Sequence, residues 1–473
     1  MLQIMKIKPF HVFRKKDQFF AFNIYDNKSL KINEYLYNEF CRLKDGDLQL
    51  SPILDEAVKK LQLPVTGNNF LIEDDFICNK EYCHQQIYRS LLILFVVQDC
   101  NMECRYCYGS KGEFGSKGVA KEETAKKAID LFFNTTKSKK VKIRFMGGEP
   151  LLNFELIKKL VNYANTEAAR KNKELSYELT TNAILVTEEI ILFFKEHKFN
   201  LLISLDGGPE IQNYNRPLKN GKDSFNEAVE KIKLIKKILG KVHGRASIGS
   251  NANVNDVLTV LKSLFDTVMI VPLVKTMYTN PSEADYYCGN YERVYKGLIK
   301  NFDIWLDAVK NRKREEIENE YKILNLKIIE NLISPVSAVP FWKQRKYYHC
   351  LSGRSSFAVD INGDIYPCHI FVGNTKFRSG NVNDVRSVEF DNFTYSMLLK
   401  NEKCKECFAR YYCGGSCWYE NITCTGDFFD PFEEYCSAFR ACLEYSIYIA
   451  NSLNEADIKY LYSSNILKKS MPL

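Results

Sequence analysis

The chain has 473 residues, with 66 Lys and Arg against 58 Asp and Glu and a formal net charge of +8. That length supports two or three domains. The modest charge is spread over separate runs, such as Lys137, Lys139, Lys140 and Lys142, or Lys231, Lys233, Lys236 and Lys237, which read as solvated faces rather than a nucleic-acid surface. Sixteen cysteines in so long a chain are no small secreted disulfide framework; their clustering points to metal in a reducing compartment, and no apolar run nears the roughly 20 residues a bilayer demands. With no charged, apolar and small-residue leader at its start, the chain is expected to be cytoplasmic, with no membrane partner.

Residues 1–75 read as a compact unit. Alternating runs around Phe10 to Arg14 and Phe19 to Tyr25, a turn at Asp26-Asn27-Lys28 and a returning strand from Ser29 to Ile32 describe a hairpin. Two helical patterns follow, with Leu36, Phe40 and Leu43 on one face of the first and Leu54, Val58 and Leu61 on one face of the second. An exposed sheet edge in such a unit can accept an extended peptide as an added strand; the alternative is a simple cap over the rest of the fold.

Residues 88–333 alternate short apolar strands with amphipathic helices, the pattern of a parallel sheet built from strand–helix units. The expected strands are Leu91 to Val97, Lys142 to Phe145, Ser176 to Thr180, Asn200 to Ser204, Gly244 to Gly249 and Val268 to Val271, which suffice for a partial (β/α)6 barrel. In such barrels chemistry sits at the C-terminal strand ends. Cys100, Cys104 and Cys107 follow the first strand at C-x3-C-x2-C spacing; three thiolates leave one corner of a four-iron cube open, although a structural zinc site also uses short C-x2-C pieces. Gly147-Gly148-Glu149-Pro150 follows the second strand, where glycines allow close backbone approach and Glu149 offers a carboxylate. Thr180-Thr181-Asn182 and Ser204-Leu205-Asp206-Gly207 end the next two strands.

Residues 340–450 hold a second cysteine array. Cys350 and Cys368 flank Gly363, then come Cys404, Cys407, Cys413 and Cys417, and Cys436 closes the series. Cys41 reads as a small buried hydrophobe on a helix, while Cys78, Cys83 and Cys288 lack convincing partners. His349 and His369, each beside a cysteine of this array, are placed to tune a metal centre by hydrogen bonding, or are ordinary histidines.

The loop Cys100-Asn101-Met102-Glu103-Cys104-Arg105-Tyr106-Cys107, with Tyr106 in the aromatic position, resembles the radical S-adenosylmethionine (SAM) superfamily, and Gly147-Gly148-Glu149-Pro150 resembles its glycine-rich motif. The C-terminal array resembles the SPASM domain, and the hairpin with helices resembles the winged-helix unit with which peptide-modifying enzymes bind a leader. The resemblance implies an α/β fold: a partial (β/α)6 barrel with an N-terminal winged-helix-like peptide-binding unit and a C-terminal cysteine-rich SPASM domain. It implies a SAM-binding 4Fe-4S cluster on Cys100, Cys104 and Cys107, with SAM held by Gly147, Gly148, Glu149, Asn182, Ser204 and Arg216. It further implies two auxiliary iron–sulfur clusters, one on Cys404, Cys407, Cys413 and Cys436 and one on Cys350, Cys368 and Cys417. The fourth ligand of the latter stays open between Cys424, Cys442 and an iron free to take a substrate thiolate. Many relatives carry His-Asp where Gln212-Asn213 stand, which weakens an acid–base role there. The implied activity is radical maturation of a precursor peptide or small protein, with thioether cross-linking suggested by Cys107-Tyr108-Gly109 and Cys413-Gly414-Gly415-Ser416-Cys417, and with electrons from a flavodoxin or ferredoxin. Formylglycine formation by an anaerobic sulfatase maturase is the alternative enzyme, and a non-enzymatic iron–sulfur electron carrier the alternative class.

Overall fold

The computed structural model describes residues 9–45, 51–63, 65–66, 69–70, 89–279, 281–323, 332, 345–350, 352–384, 388, 390, 393, 396–464 and 466. Cys78 and Cys83 lie outside the described residues.

The N-terminal part opens with a three-stranded antiparallel sheet, β1 (Phe10–Lys15), β2 (Gln18–Asn23) and β3 (Ser29–Ile32), in the order β1-β2-β3. The turn between β2 and β3 sets Asn27 at φ +60°, a conformation asparagine tolerates better than most residues. Helices α1 (Glu34–Asp45) and α2 (Pro52–Lys60) follow; Ser51 caps the second by accepting from the Leu54 amide. Phe40, Leu43, Leu54, Val58 and Leu61 pack with Phe10, Val12 and Ala21 into a small core. The opposite face of the sheet, carrying Phe13, Phe20 and Phe22, enters the main core of the molecule. A two-residue pairing, β4 (Val65–Thr66) with β5 (Asn69–Phe70), comes next.

The main sheet contains six parallel strands in sequential order: β6 (Leu91–Gln98), β8 (Lys140–Gly147), β9 (Glu174–Thr181), β10 (Asn200–Ser204), β11 (His243–Ile248) and β12 (Thr267–Pro272). These are the six strands expected from the sequence. The short β7 (Gly118–Val119) pairs antiparallel with the end of β6. The crossover helices α3 (Glu122–Thr135), α4 (Phe154–Arg170), α5 (Glu188–Glu196), α6 (Pro209–Asn215), α7 (Phe225–Leu239) and α8 (Val254–Leu264) follow their strands, and α9 (Asn290–Lys310) and α10 (Arg314–Tyr321) complete this part. Their apolar faces cover one side of the strands, burying Ile143, Phe145, Tyr177, Leu179, Leu201, Ile203 and Ala246.

Strand alternation turns the other residues to the concave side: Lys142, Arg144 and Met146 from β8, Glu178 and Thr180 from β9, Ser204 from β10, and Arg245 and Ser247 from β11. A barrel built only as scaffold fills this space with branched aliphatics. Here much of it is polar.

The C-terminal part continues the same sheet. β13 (Ser356–Val359) runs parallel beside β6, and β14 (Asp364–Tyr366) and β15 (Gly380–Asn381) extend it antiparallel. Short helices α11 (Met397–Lys400), α12 (Glu402–Glu406) and α13 (Arg410–Cys413) lead to α14 (Trp418–Thr425), α15 (Glu433–Ser452) and α16 (Glu455–Ser463). The long α15 packs against α9, β1 and β3, joining the N-terminal sheet to the rest. No described helix is long and apolar enough to cross a membrane.

Candidate active site

Cys100, Cys104 and Cys107 share the loop after β6. Its shape is set from several sides. Gln98, fully buried, donates to the carbonyls of Glu113 and Ser116 and accepts from the Ile361 amide on the C-terminal part. Lys219 and Lys117 pair with Asp99 at 2.8 and 3.3 Å and hold its carboxyl below the usual range. Amides of Glu103 and Arg105 donate to the carbonyls of Pro217 and Asn215. Burial, the nearby Glu149 and the neighbouring thiols push the Cys100 thiol far up, and burial is the chief reason Cys104 is pushed up to about 12. Thiols gathered in so dry a place ionise only against a strong local cation, and an iron centre supplies one. This donor set fits an iron–sulfur cluster.

The turn after β8 lies directly on that loop. A Cβ at Gly147 would collide with the Val97 carbonyl, and one at Gly148 with the Asp99 carbonyl. Glu149, buried and pushed up to about 7 mainly by desolvation, accepts from the Leu151 amide at 3.1 Å, the Thr181 hydroxyl at 2.8 Å and the Asn182 amide at 2.9 Å. The carboxylate therefore ties the glycine turn to the end of β9, and of its roughly four acceptor positions about one is left. Asn182 in turn donates to Asn101 Oδ1 at 2.7 Å, between the first two cysteines.

Asp206, just past β10, organises the opposite wall and was not read from the sequence as a site residue. It accepts from the Tyr106 hydroxyl, from the Ser247 amide at 2.9 Å and from Asn215 Nδ2 at 3.3 Å, and it pairs with Arg216 Nε at 3.1 Å. The Arg216 guanidinium stands 5.4 Å from the centre of the Tyr106 ring, and it is among the charges that act on Cys104. Ser204 is the neighbour of Arg245 in the β10–β11 register. Gln212 and Asn213 serve structure: Gln212 accepts from the Asp206 amide and donates to Ser224, and Asn213 caps Ser224 and Phe225.

The C-terminal cysteines fall into two groups. Cys404, Cys407, Cys413 and Cys436 line one cleft, where burial first and the neighbouring thiols second push Cys404 up to about 12 and raise Cys436, and burial is the chief reason Cys413 is pushed up to about 11. Cys350, Cys368 and Cys417 act on one another in a second group. The Gly414-Gly415 turn links the groups; both glycines have positive φ, and a Cβ on Gly414 would strike the backbone of Tyr348. Among the described residues, no group of three or more His, Cys, Asp or Glu side chains is arranged to hold a single metal ion. The groups acting on Cys424 are Thr423, Glu420, Lys275 and Glu434, and those acting on Cys442 are Ser446 and Lys15. Cys424 and Cys417 both act on the Tyr291 and Tyr419 phenols. Cys41 packs against the N-terminal core and Cys288 is exposed.

Between the first loop and the Cys350 group lie Tyr108 and His369. Their rings meet edge to face at 5.8 Å, and His369 Nδ1 is 3.3 Å from the Cys368 sulfur. Burial, Arg144 and Arg245 push His369 down to about 3, so the ring is neutral at physiological pH. His349 also lies low because it is buried, beside Tyr435.

Residues 94–264 match the radical SAM superfamily. An uncharacterised protein of Methanocaldococcus jannaschii is 29% identical over 67% of this chain and 94% of its own length. A cysteine-type anaerobic sulfatase-maturating enzyme of Clostridium perfringens is 25% identical over 77% of this chain and 99% of its own. The solved structure of native anSMEcpe with bound AdoMet superposes with a TM-score of 0.63 at 24% identity, covering 76% of this chain and 99% of that one. The fold and the matched segment agree: the chain carries a radical SAM domain, the family that works with a 4Fe-4S cluster and SAM, and is an enzyme of radical SAM oxidoreductase type.

Proposed function

We propose that this enzyme modifies a peptide or small protein by hydrogen abstraction, with Cys100, Cys104 and Cys107 holding the SAM-binding cluster. One observation carries the reading: two groups of three partly buried thiols lie on either side of Tyr108 and His369, at the mouth of a barrel whose interior is polar. Cluster and SAM, when bound, supply a carbon radical able to take hydrogen from an unactivated carbon. The chain's own residues bind, orient and exclude water. Gly147, Gly148 and Glu149 would shape the wall for the amino group of SAM, Asn182 and Ser204 would contact its ribose or carboxylate region, and Arg216, braced by Asp206, would offer a guanidinium to its carboxylate.

The SPASM-type reading assigns one auxiliary cluster to Cys404, Cys407, Cys413 and Cys436 and another to Cys350, Cys368 and Cys417. The fourth ligand of the second cluster stays open between Cys424, Cys442 and an iron free to take a substrate thiolate; the last of these suits thioether formation. A peptide substrate is supported by anSMEcpe, whose fold has been solved with AdoMet and the Kp18Cys peptide at a TM-score of 0.63. Formylglycine formation is the second reading, favoured by the sulfatase-maturating relatives. The Clostridium perfringens relative matches about three-quarters of this chain over nearly its whole length, and the β1–β3 sheet with α1 and α2 is the unit we assign to leader binding. A flavodoxin or ferredoxin in the cytoplasm would be the electron source.

The test is anaerobic co-expression with each short open reading frame beside the gene and, separately, with a sulfatase, followed by mass measurement of the peptides and of the sulfatase with and without Cys100→Ala. Loss of two hydrogens that depends on Cys100 supports cross-linking. A change of cysteine or serine to formylglycine in a sulfatase supports the second reading, and unchanged masses in every case reject both.

A further inference from the structure

Three arginines reach the space between the first cysteine loop and the Cys350 group, and two of them are already matched. Arg144 pairs with Glu178 at 2.5 Å and Arg216 with Asp206 at 3.1 Å. Arg245, on the concave face of β11, has no ion pair or side-chain hydrogen bond among the described residues. Its surroundings are the phenols of Tyr108 and Tyr106 and the guanidinium groups of Arg216 and Arg144. A guanidinium stays charged in proteins, and burial makes an unanswered charge costly. Among the described residues the two neighbouring carboxylates are already engaged: Glu178 serves Lys142 as well as Arg144, and Asp206 accepts from Tyr106, Ser247 and Asn215 and pairs with Arg216. The concave face thus presents Lys142, Arg144 and Arg245 against Glu178, an excess of positive charge.

We propose that Arg245 receives a carboxylate of the substrate, so that the peptide entering the barrel bears an aspartate, a glutamate or a free C-terminus close to the residue that is modified. A planar guanidinium at the chamber wall suits bidentate capture of such a group and fixes the peptide's register against the radical source. Tyr108, adjacent to Cys107, lies beside Arg245 and so places the anion next to the first cysteine loop. The inference rests on a peptide being the substrate.

The experiment uses the full chain, anaerobically reconstituted with SAM and without reductant, immobilised and equilibrated with a library of N-acetyl hexapeptides that hold one cysteine among randomised positions. One half of the library ends in an acid and the other in an amide. The retained fraction should be enriched at least five-fold in Asp or Glu within two positions of cysteine, or in free-acid termini, which tells the two carboxylate sources apart. The enrichment should vanish with Arg245→Met and survive in part with Arg245→Lys. No carboxylate enrichment with the wild-type chain, or equal enrichment with Arg245→Met, overturns the proposal. A ten-fold weaker SAM affinity in Arg245→Met with peptide selection unchanged also overturns it and assigns the residue to the cofactor. Failure of the wild-type chain to release 5′-deoxyadenosine with dithionite would instead reject the proposed function, and is read separately.

Discussion

Tyr106 donates its phenolic hydrogen to Asp206, exactly 100 residues further along the chain. That bond connects the aromatic position of the cysteine loop to the end of β10, and the same carboxylate braces Arg216 at 3.1 Å. Asp206→Asn keeps an acceptor for Tyr106 but removes the charge opposite a buried guanidinium. Breaking a buried pair in this way costs about 3–5 kcal/mol. Asp206→Asn should therefore unfold at distinctly lower denaturant and bind SAM at least ten-fold more weakly by equilibrium dialysis. Tyr106→Phe, which removes one hydrogen bond to a charged acceptor, should lose about 1.5–3 kcal/mol. Parental stability and affinity in Asp206→Asn would show that the carboxylate organises nothing.

Gly148 tests the contact between the glycine turn and the cysteine loop. Any side chain there meets the Asp99 carbonyl, and the nearest atoms are backbone, which cannot swing aside. Gly148→Ala must displace the loop that bears Cys100. Iron bound after reconstitution should fall by about one cluster's complement of four atoms, with the C-terminal thiols still loaded. Full iron content together with normal reductive cleavage of SAM would show that the turn can yield.

The parallel sheet was legible because each strand pairs apolar alternation with a following amphipathic helix, and β6 is a continuous apolar run of the kind buried on both faces. The cysteines were legible from spacing. β13 was not: Ser356–Val359 is four residues long, and its partner β6 lies far away in sequence. Asp206 and Arg245 were missed for a related reason. Each looks like an ordinary polar residue at or near a strand end, and its role arises only when folding surrounds it with Tyr106 and Arg216, or deprives it of a counter-ion.

Asp360 gives a pH prediction clear of the thiols. It sits in the β13–β14 turn, where its carboxylate accepts from the amides of Asn362 and Asp364 at 2.9 and 2.8 Å, yet burial pushes it up from 3.8 to about 6. Because the folded pKa is above the unfolded one, the folded chain keeps a proton that the unfolded chain releases. Stability is lost as pH rises from about 3.8 to about 6 and does not return above it. Asp360→Asn retains an acceptor for both amides and carries no charge, so it should stabilise the protein by up to about 3 kcal/mol at pH 7.5 and about half that at pH 5. Thermal unfolding at the two pH values checks this. A variant less stable than wild type at pH 7.5 would mean that the charged form is the one the turn prefers.

The N-terminal sheet is not a detachable module. Phe13, Phe20 and Phe22 belong to the main core, and Phe20 meets Tyr448 of α15 edge to face at 6.1 Å. His11 stacks on Phe408 at 3.6 Å, directly after Cys407, and its ring meets Glu444 at 2.9 Å. Tyr412, just before Cys413, donates to Asn27 in the β2–β3 turn. Two residues adjacent to the four-thiol group are thus positioned by the first three strands. Deleting residues 1–63 should expose Phe408, Tyr412 and Tyr448 as one apolar and aromatic surface, giving aggregation in size-exclusion chromatography and loss of iron from the Cys404 group. A monomeric truncated protein with its full iron content would show instead that the sheet only leans on a self-sufficient C-terminal part.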